Sequence, residues 1–461
     1  MMQKEAFSLK SAVVFPVKNK VSLPAVVQPT VDLKQNSQNF PPLTAQAKDV
    51  PRVHLGFLDG LRGLAVLYVL FYHMWQSRHR EMSLAGVKGL LTNWLLYGHL
   101  AVDVFIVLSG FCLMLPVARR GVLEGGALVF FKKRARRILP PFFAAVLLAV
   151  AVNAATFALY SHGHVAVTSP KTILANLLLL QDVHPACNNI NAAFWSVAVE
   201  WKIYFLFPLL VWAWRRCGTG VALAVSIGIG YGLAGAGYLV SKHPHAGLTL
   251  VCPWYVALFG LGMWASARAF GPRPLAQFSA NWKMGAVASL LLLAGLLAMF
   301  PNQGGNTNFT AHWPLTDAVV GLVAALTLLW LGMNSRDGKT TLPNRVLSWR
   351  PLTFVGSFAY SIYLVHFPVL RYYMALIPIA VQYAVPHGVI NLCLAVVGLP
   401  FILLVSYGFF LAFERPFMHN APRGQRQAEK FTTKRRVLVP AFAPPRGQSL
   451  GEAAPAFLAD V

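Results

Sequence analysis

Acidic residues are scarce in this 461-residue sequence: 15 Asp and Glu stand against 39 Lys and Arg, and charged residues of both signs make up only 12%. Soluble domains carry about a quarter, so there is too little polar surface here to cover a water-facing globule. Cysteine is scarce as well. The five present (Cys112, Cys187, Cys217, Cys252, Cys393) form no CxxC pair or metal-like spacing, which argues against a zinc ribbon and a dithiol redox motif. Cys187 and Cys252 both map to the less basic side of the chain, where an oxidising compartment would permit pairing. Residues 1–52 contain no apolar stretch long enough for a signal-peptide core.

Hydrophobic residues, by contrast, make up 56% of the chain. Apolar runs recur at the length of about 20 residues that a bilayer core demands. They fall at about 58–77, 98–118, 138–160, 195–214, 219–240, 250–268, 283–301, 312–333, 352–376 and 388–413. The expected fold is all-α integral membrane: a bundle of about ten transmembrane helices in a domain 53–418, between basic and disordered tails 1–52 and 419–461. A short piece, Thr172–Leu180, is too brief to span and reads as interfacial. A net charge of +24 would suit nucleic acid, but such binders gather their basic residues on one folded face. Here they sit in the tails and in short loops. Thirty-one Lys and Arg fall on one side of the run pattern and five on the other, so both termini and the loop Arg119–Arg137 are expected in the cytoplasm.

Ionisable groups inside apolar spans are costly and therefore point to function or to pairing. Counted from the cytoplasmic ends of their helices, His73, Asp103, Glu200, Asp317 and His366 all lie roughly 21–24 Å up, in one layer of the outer half. A second layer sits at the inner edge, with Asp59 and Arg62 opening the first span and Arg134 and Arg137 leading into the third. Arg62 and His73 are 11 residues apart, nearly three turns, so they share a helix face about 16 Å apart. Guanidinium groups suit phosphates. An imidazole flanked by carboxylates suits general-base work on a hydroxyl. A long donor with phosphates at one end and a reactive group at the other would bridge the layers, and acyl-CoA has that shape.

Five motifs then carry a resemblance. Leu58-Asp-Gly-Leu-Arg-Gly-Leu-Ala65 with Tyr72-His73, and Gly98-His-Leu-Ala-Val-Asp103 running to Ser109-Gly110-Phe111, resemble the opening of the acyltransferase-3 family of membrane O-acyltransferases. So do Arg134-Ala-Arg-Arg137 before a Pro pair, Trp195-Ser196 running to Glu200, Tyr204 and Pro208, and Tyr360-Ser-Ile-Tyr-Leu-Val-His366. The resemblance covers about residues 54–416. It implies about ten helices and an acyl-CoA donor, usually acetyl-CoA, used from the cytoplasmic side of what is expected to be a bacterial inner membrane. The acceptor it implies is a hydroxyl on a glycan, glycolipid or secreted metabolite. It places His73 as base with Glu200 beside it, and Arg62, Arg134 and Arg137 at the donor; Asp103, from its depth, is expected in the same catalytic group. His366, Trp195, Ser196 and His99 are expected at the acceptor end. Many family members fuse an esterase-like domain after the last helix; only about 45 residues follow here. Glu200 is followed by Trp201 and Lys202, where the family often has a second acid or amide.

Other patterns lead elsewhere. Gly230-Tyr-Gly232-Leu-Ala-Gly235 spells GxGxxG without a preceding strand, so helix packing explains it better than a dinucleotide site. Ser109 and Ser196 stand in no GxSxG elbow. His99 and Asp103, four apart, share a helix face. No metal constellation is evident. The alternative reading is a transporter, which also carries midplane charges, but no inverted repeat of the helix pattern is visible.

Overall fold

The computed structural model describes residues 55–79, 92–159, 169–183, 190–241, 251–277, 280–299 and 313–418. Both tails and Cys187 lie outside these residues. The described chain is helical: α1 (Gly56–His79), α2 (Leu100–Arg120), α3 (Gly126–Leu159), α4 (Pro170–Leu177), α5 (Trp195–Cys217), α6 (Thr219–Ser241), α7 (Tyr255–Phe270), α8 (Ala280–Met299) and α9 (Trp313–Arg336). Then come α10 (Leu342–Leu347), α11 (Arg350–Ser357), α12 (Ala359–Gln382), α13 (His387–Cys393), α14 (Leu399–Phe409) and α15 (Arg415–Met418). π-helical segments Leu394–Gly398 and Phe410–Glu414 join the last three into one rod.

Among the described residues, eight helical segments are long and apolar enough to cross a membrane, and nine if the bent pair α11–α12 counts as one span. The tenth expected span, 250–268, corresponds to α7. Its 16 residues extend roughly 24 Å, short of a bilayer core of about 30 Å. It packs against α2, α6 and α9, with most of its side chains buried. Glycines permit that closeness: a Cβ on Gly110 of α2 would lie 2.1 Å from the Phe259 carbonyl oxygen, and one on Gly262 of α7 2.0 Å from that of Val107. In an apolar solvent, close backbone approach through small residues drives helix association.

Two boundaries differ from the sequence reading. The expected loop Arg119–Arg137 is mostly helix, because α3 begins at Gly126. Its charged first turns have an aromatic side, with Phe130 against Phe207 and Phe131 against Phe205 of α5. The expected span 352–376 bends by 72° between α11 and α12. Short α11 is drawn onto α1, where a Cβ on Gly63 would sit 2.3 Å from the Leu352 carbonyl oxygen and one on Gly356 1.8 Å from that of Asp59; a Cβ on Gly60 would sit 1.6 Å from the carbonyl oxygen of Leu347 in α10. In the GxGxxG run only Gly230 is in close contact, 3.0 Å from the Pro253 carbonyl oxygen; Gly232 and Gly235 meet nothing within 4 Å. Of the short piece Thr172–Leu180, residues 172–177 lie in the eight-residue helix α4, too short to span, which is capped by the Ser169 hydroxyl accepting from the Thr172 amide.

Candidate active site

The start of α1, the middle of α2, the first turns of α3 and the first half of α5 meet the α11–α12 bend around a cavity of about 380 Å³. That volume falls in the small-molecule range. Five residues singled out from the sequence line it: Arg62, Arg134, Arg137, Ser196 and Glu200.

Most charges on its wall are already held. Arg62 Nη1 bonds Asp59 at 2.6 Å, and its Nη2 reaches the Cys112 sulfur at 3.0 Å. Glu200 accepts from the Tyr204 hydroxyl one helical turn on, and Tyr204 in turn meets Ser109 Oγ at 3.1 Å. Glu414, buried in the second π-helical segment, accepts from the amide and hydroxyl of Ser361 at 3.2 and 2.5 Å. Arg134 and Arg137 differ: among the described residues neither forms an ion pair within 4 Å. The Nε of Arg134 is buried without a hydrogen-bond partner, and its guanidinium lies 6.0 Å from the Phe130 ring centroid. A buried guanidinium N–H without an acceptor is costly, and phosphate oxygens are a fitting acceptor.

The cavity's far wall is polar but uncharged. The hydroxyls of Ser196 and Tyr363 bond at 2.6 Å, and both residues line the cavity. Behind Tyr363 stand two imidazoles. His366 lies 5.9 Å from the Tyr363 ring and 5.2 Å from His73, centroid to centroid. His73 Nδ1 faces the amide oxygen of Gln76 at 3.1 Å. That oxygen only accepts, so Nδ1 carries the hydrogen and Nε2 is left as the basic nitrogen. His73 itself lies outside the cavity lining.

The single layer expected from depth thus divides into three groups. His73 pairs with His366. Glu200 joins Tyr204 in the cavity. Asp103 and Asp317, both buried, face each other between α2 and α9, with Trp254 Nε1 donating to Asp317 at 2.7 Å. His99 stacks on Trp313 at 5.3 Å and Trp195 tilts against Tyr255 at 6.0 Å. Asp103, His99 and Trp195 are therefore not among the cavity-lining side chains. Ser109, weighed above only as a nucleophile, lines it as well, and so do Cys112, Tyr363 and Glu414, which were not singled out. A hydroxyl or thiol on an apolar run carries little signal of its own, although Tyr363 stands three residues before His366 on the same face. Among the described residues no group of three His, Cys, Asp or Glu is arranged to hold a metal.

A family model described as an acyltransferase domain matches residues 55–411. The chain is 27% identical over 170 residues to "O-acetyltransferase OatA" of Staphylococcus aureus (strain NCTC 8325 / PS 47), a match covering 34% of this chain and 25% of that protein. It is 25% identical over 338 residues to a "Putative O-acetyltransferase" of Staphylococcus aureus (strain COL), covering 68% of this chain and 50% of that one. The chain thus spans between a quarter and a half of the length of these relatives. No solved structure matches.

Proposed function

The chain belongs to the acyltransferase-3 family, and from that premise we propose that it moves an acetyl group from acetyl-CoA to a hydroxyl of a glycan, glycolipid or secreted metabolite. The observation that carries this reading is the cavity that has unpaired Arg134 and Arg137 at one end and the Ser196–Tyr363 pair, backed by two histidines, at the other.

In this reading the donor enters from the basic side, which the loop charges assign to the cytoplasm of a bacterial inner membrane with both termini inside. Arg134, Arg137 and Arg62 hold its phosphates. Its thioester passes the Ser196–Tyr363 pair toward His73, so that the acceptor hydroxyl meets both the imidazole and the acetyl carbon. His73 takes the acceptor's proton on Nε2, the hydroxyl oxygen attacks the acetyl carbon, and the carbon–sulfur bond breaks to leave CoA thiolate. Glu200, accepting from the Tyr204 hydroxyl, shapes the donor end. Asp103, His99 and Trp195 stand apart from the cavity and carry no step.

The test is CoA thiol release and label transfer from [acetyl-¹⁴C]-CoA by purified protein and by His73→Ala. Losing a positioned general base costs about 10²–10⁴-fold. Normal transfer by a His73→Ala protein that inserts and melts like its parent would sink the reading.

A further inference from the structure

Two helices at the basic end of the bundle are too short to span a membrane: α10 has six residues and α11 eight, each with a proline in its first turn. One side of the pair is taken up by α1, where Gly60 meets Leu347, Gly63 meets Leu352 and Gly356 meets Asp59. The other side faces outward and is apolar. Leu342 is 71% exposed, Val346 54% and Trp349 63%. On a water-facing surface such a patch marks an interaction site.

Cations are set among these apolar groups. Arg345 stands three residues after Leu342 and one before Val346, so all three share a side of α10, and Arg350 follows Trp349. Both arginines are exposed, and among the described residues neither forms an ion pair within 4 Å. Asp337, in the turn before α10, is already paired with Arg336 at 2.8 Å. The 72° bend between α11 and α12 sets the rest of the geometry. With α12 crossing the bilayer, α11 lies close to the membrane plane. A short in-plane helix with bulky apolar groups and arginines on its free side is built for the headgroup layer.

We propose that α10 and α11 form a seat for anionic phospholipids in the leaflet at the basic end of the bundle. Leu342 and Val346 enter the boundary between headgroups and acyl chains, and the Trp349 ring lies at headgroup level, where tryptophan is favoured. Arg345 and Arg350 bond headgroup phosphates through their paired N–H groups, their stems lying along the apolar surface. Charge decides against the chain's own tails as the occupant. Residues 1–52 and 419–461 each carry seven Lys and Arg against three Asp and Glu, so both are repelled by these arginines. Gly356 and Ser357, at the end of α11, also line the donor cavity, so the seat holds one wall of that cavity at headgroup level. Seating of this kind does not depend on the transfer chemistry proposed above.

Amide hydrogen exchange of the full chain tests the seat, in nanodiscs of phosphatidylcholine alone and of phosphatidylcholine with phosphatidylglycerol. Exchange over residues 342–357 is expected to be slower in the anionic bilayer. Near an anionic surface each arginine is expected to contribute about fivefold to that protection, and added salt should weaken it. The double variant Arg345→Gln with Arg350→Gln should exchange alike in the two bilayers. Arg215→Gln with Arg216→Gln, a basic pair at the end of α5, should respond as the parent does. Equal exchange of the parent in the two bilayers overturns the proposal. So does a response that survives in the Arg345/Arg350 variant, because the headgroups would then act elsewhere on a chain of net charge +24. Protection in a neutral detergent micelle as strong as in the anionic nanodisc also overturns it, since the face would then be covered by protein.

Discussion

Replacing Arg134 by Met separates binding from folding, because the two are expected to move in opposite directions. Met keeps an apolar stem of similar reach and removes the guanidinium whose Nε is buried without a partner. The unliganded protein therefore loses an unsatisfied donor and a charge close to Arg137, and its melting temperature should stay level or rise. Donor affinity should fall. A charge-assisted hydrogen bond contributes about 1.5–3 kcal/mol, and a loss of about 2 kcal/mol corresponds to roughly thirtyfold in Kd. With acetyl-CoA at about 100 times the parent's Kd, binding stabilises the parent by about 2.7 kcal/mol. At the same concentration a variant weakened thirtyfold keeps only about 0.9 kcal/mol. Calorimetric titration and melting curves with and without acetyl-CoA read both quantities. An unchanged Kd in Arg134→Met would refute the phosphate role. A melting temperature well below the parent's without ligand would refute the claim that Arg134 is unsatisfied in the folded protein.

Three further outcomes are expected. Gly60→Ala puts a methyl group 1.6 Å from the Leu347 carbonyl oxygen and should cost at least about 1–3 kcal/mol by thermal melting. Gly220→Ala, with nothing within 4 Å, serves as a control that should be neutral or better. Cys112 lines the cavity beside Arg62, so maleimide should label it and acetyl-CoA should slow the labelling; protection failing at saturating donor would move the donor out of this cavity. Asp182 lies outside the spanning helices, and burial pushes its carboxyl above the ordinary value against the pull of Lys202. A folded-state value raised in this way means that ionisation opposes folding. Its cost is absent below the unfolded value and grows as pH rises through the carboxylate range. Asp182→Asn should therefore gain on the parent in melting temperature from acid to neutral pH, and the opposite slope would show that the Lys202 pair outweighs burial.

Features carried by one helix were legible in the sequence, and those that need two were not. The Arg62–His73 spacing follows from helical pitch alone, and Arg134 and Arg137 were identifiable by motif. Counting residues from a helix end predicts a height along that helix and says nothing about position around the bundle. Asp103 and His73 come out at similar heights by that count, yet one faces Asp317 and the other His366. The start of α3 was hidden because Lys132 and Lys133 interrupt the apolar run, whereas the helix is held there by Phe130 and Phe131. The 72° bend beside the cavity goes with the close approach of α11 to α1, Gly63 against Leu352 and Gly356 against Asp59, partners far away in sequence that no local pattern encodes. Glu414 escaped notice because its approach to Ser361 depends on a stretch of helix with the wrong period.

That stretch makes the end of the rod sensitive to counting rather than to chemistry. Phe410–Glu414 is wound as a π-helix, which holds extra chain per turn relative to the α-helix around it. Deleting one residue between 410 and 413 would let the rod return to a regular pitch with everything beyond it still in phase, because the π-turn already holds one residue more than an α-turn. Glu414 would keep its place against the Ser361 amide and hydroxyl. The same deletion a turn earlier, in the regular part of α14, would rotate Glu414 by about 100° and take it off Ser361. The segment therefore holds one residue of slack, and where a change of length falls decides whether the cavity wall feels it.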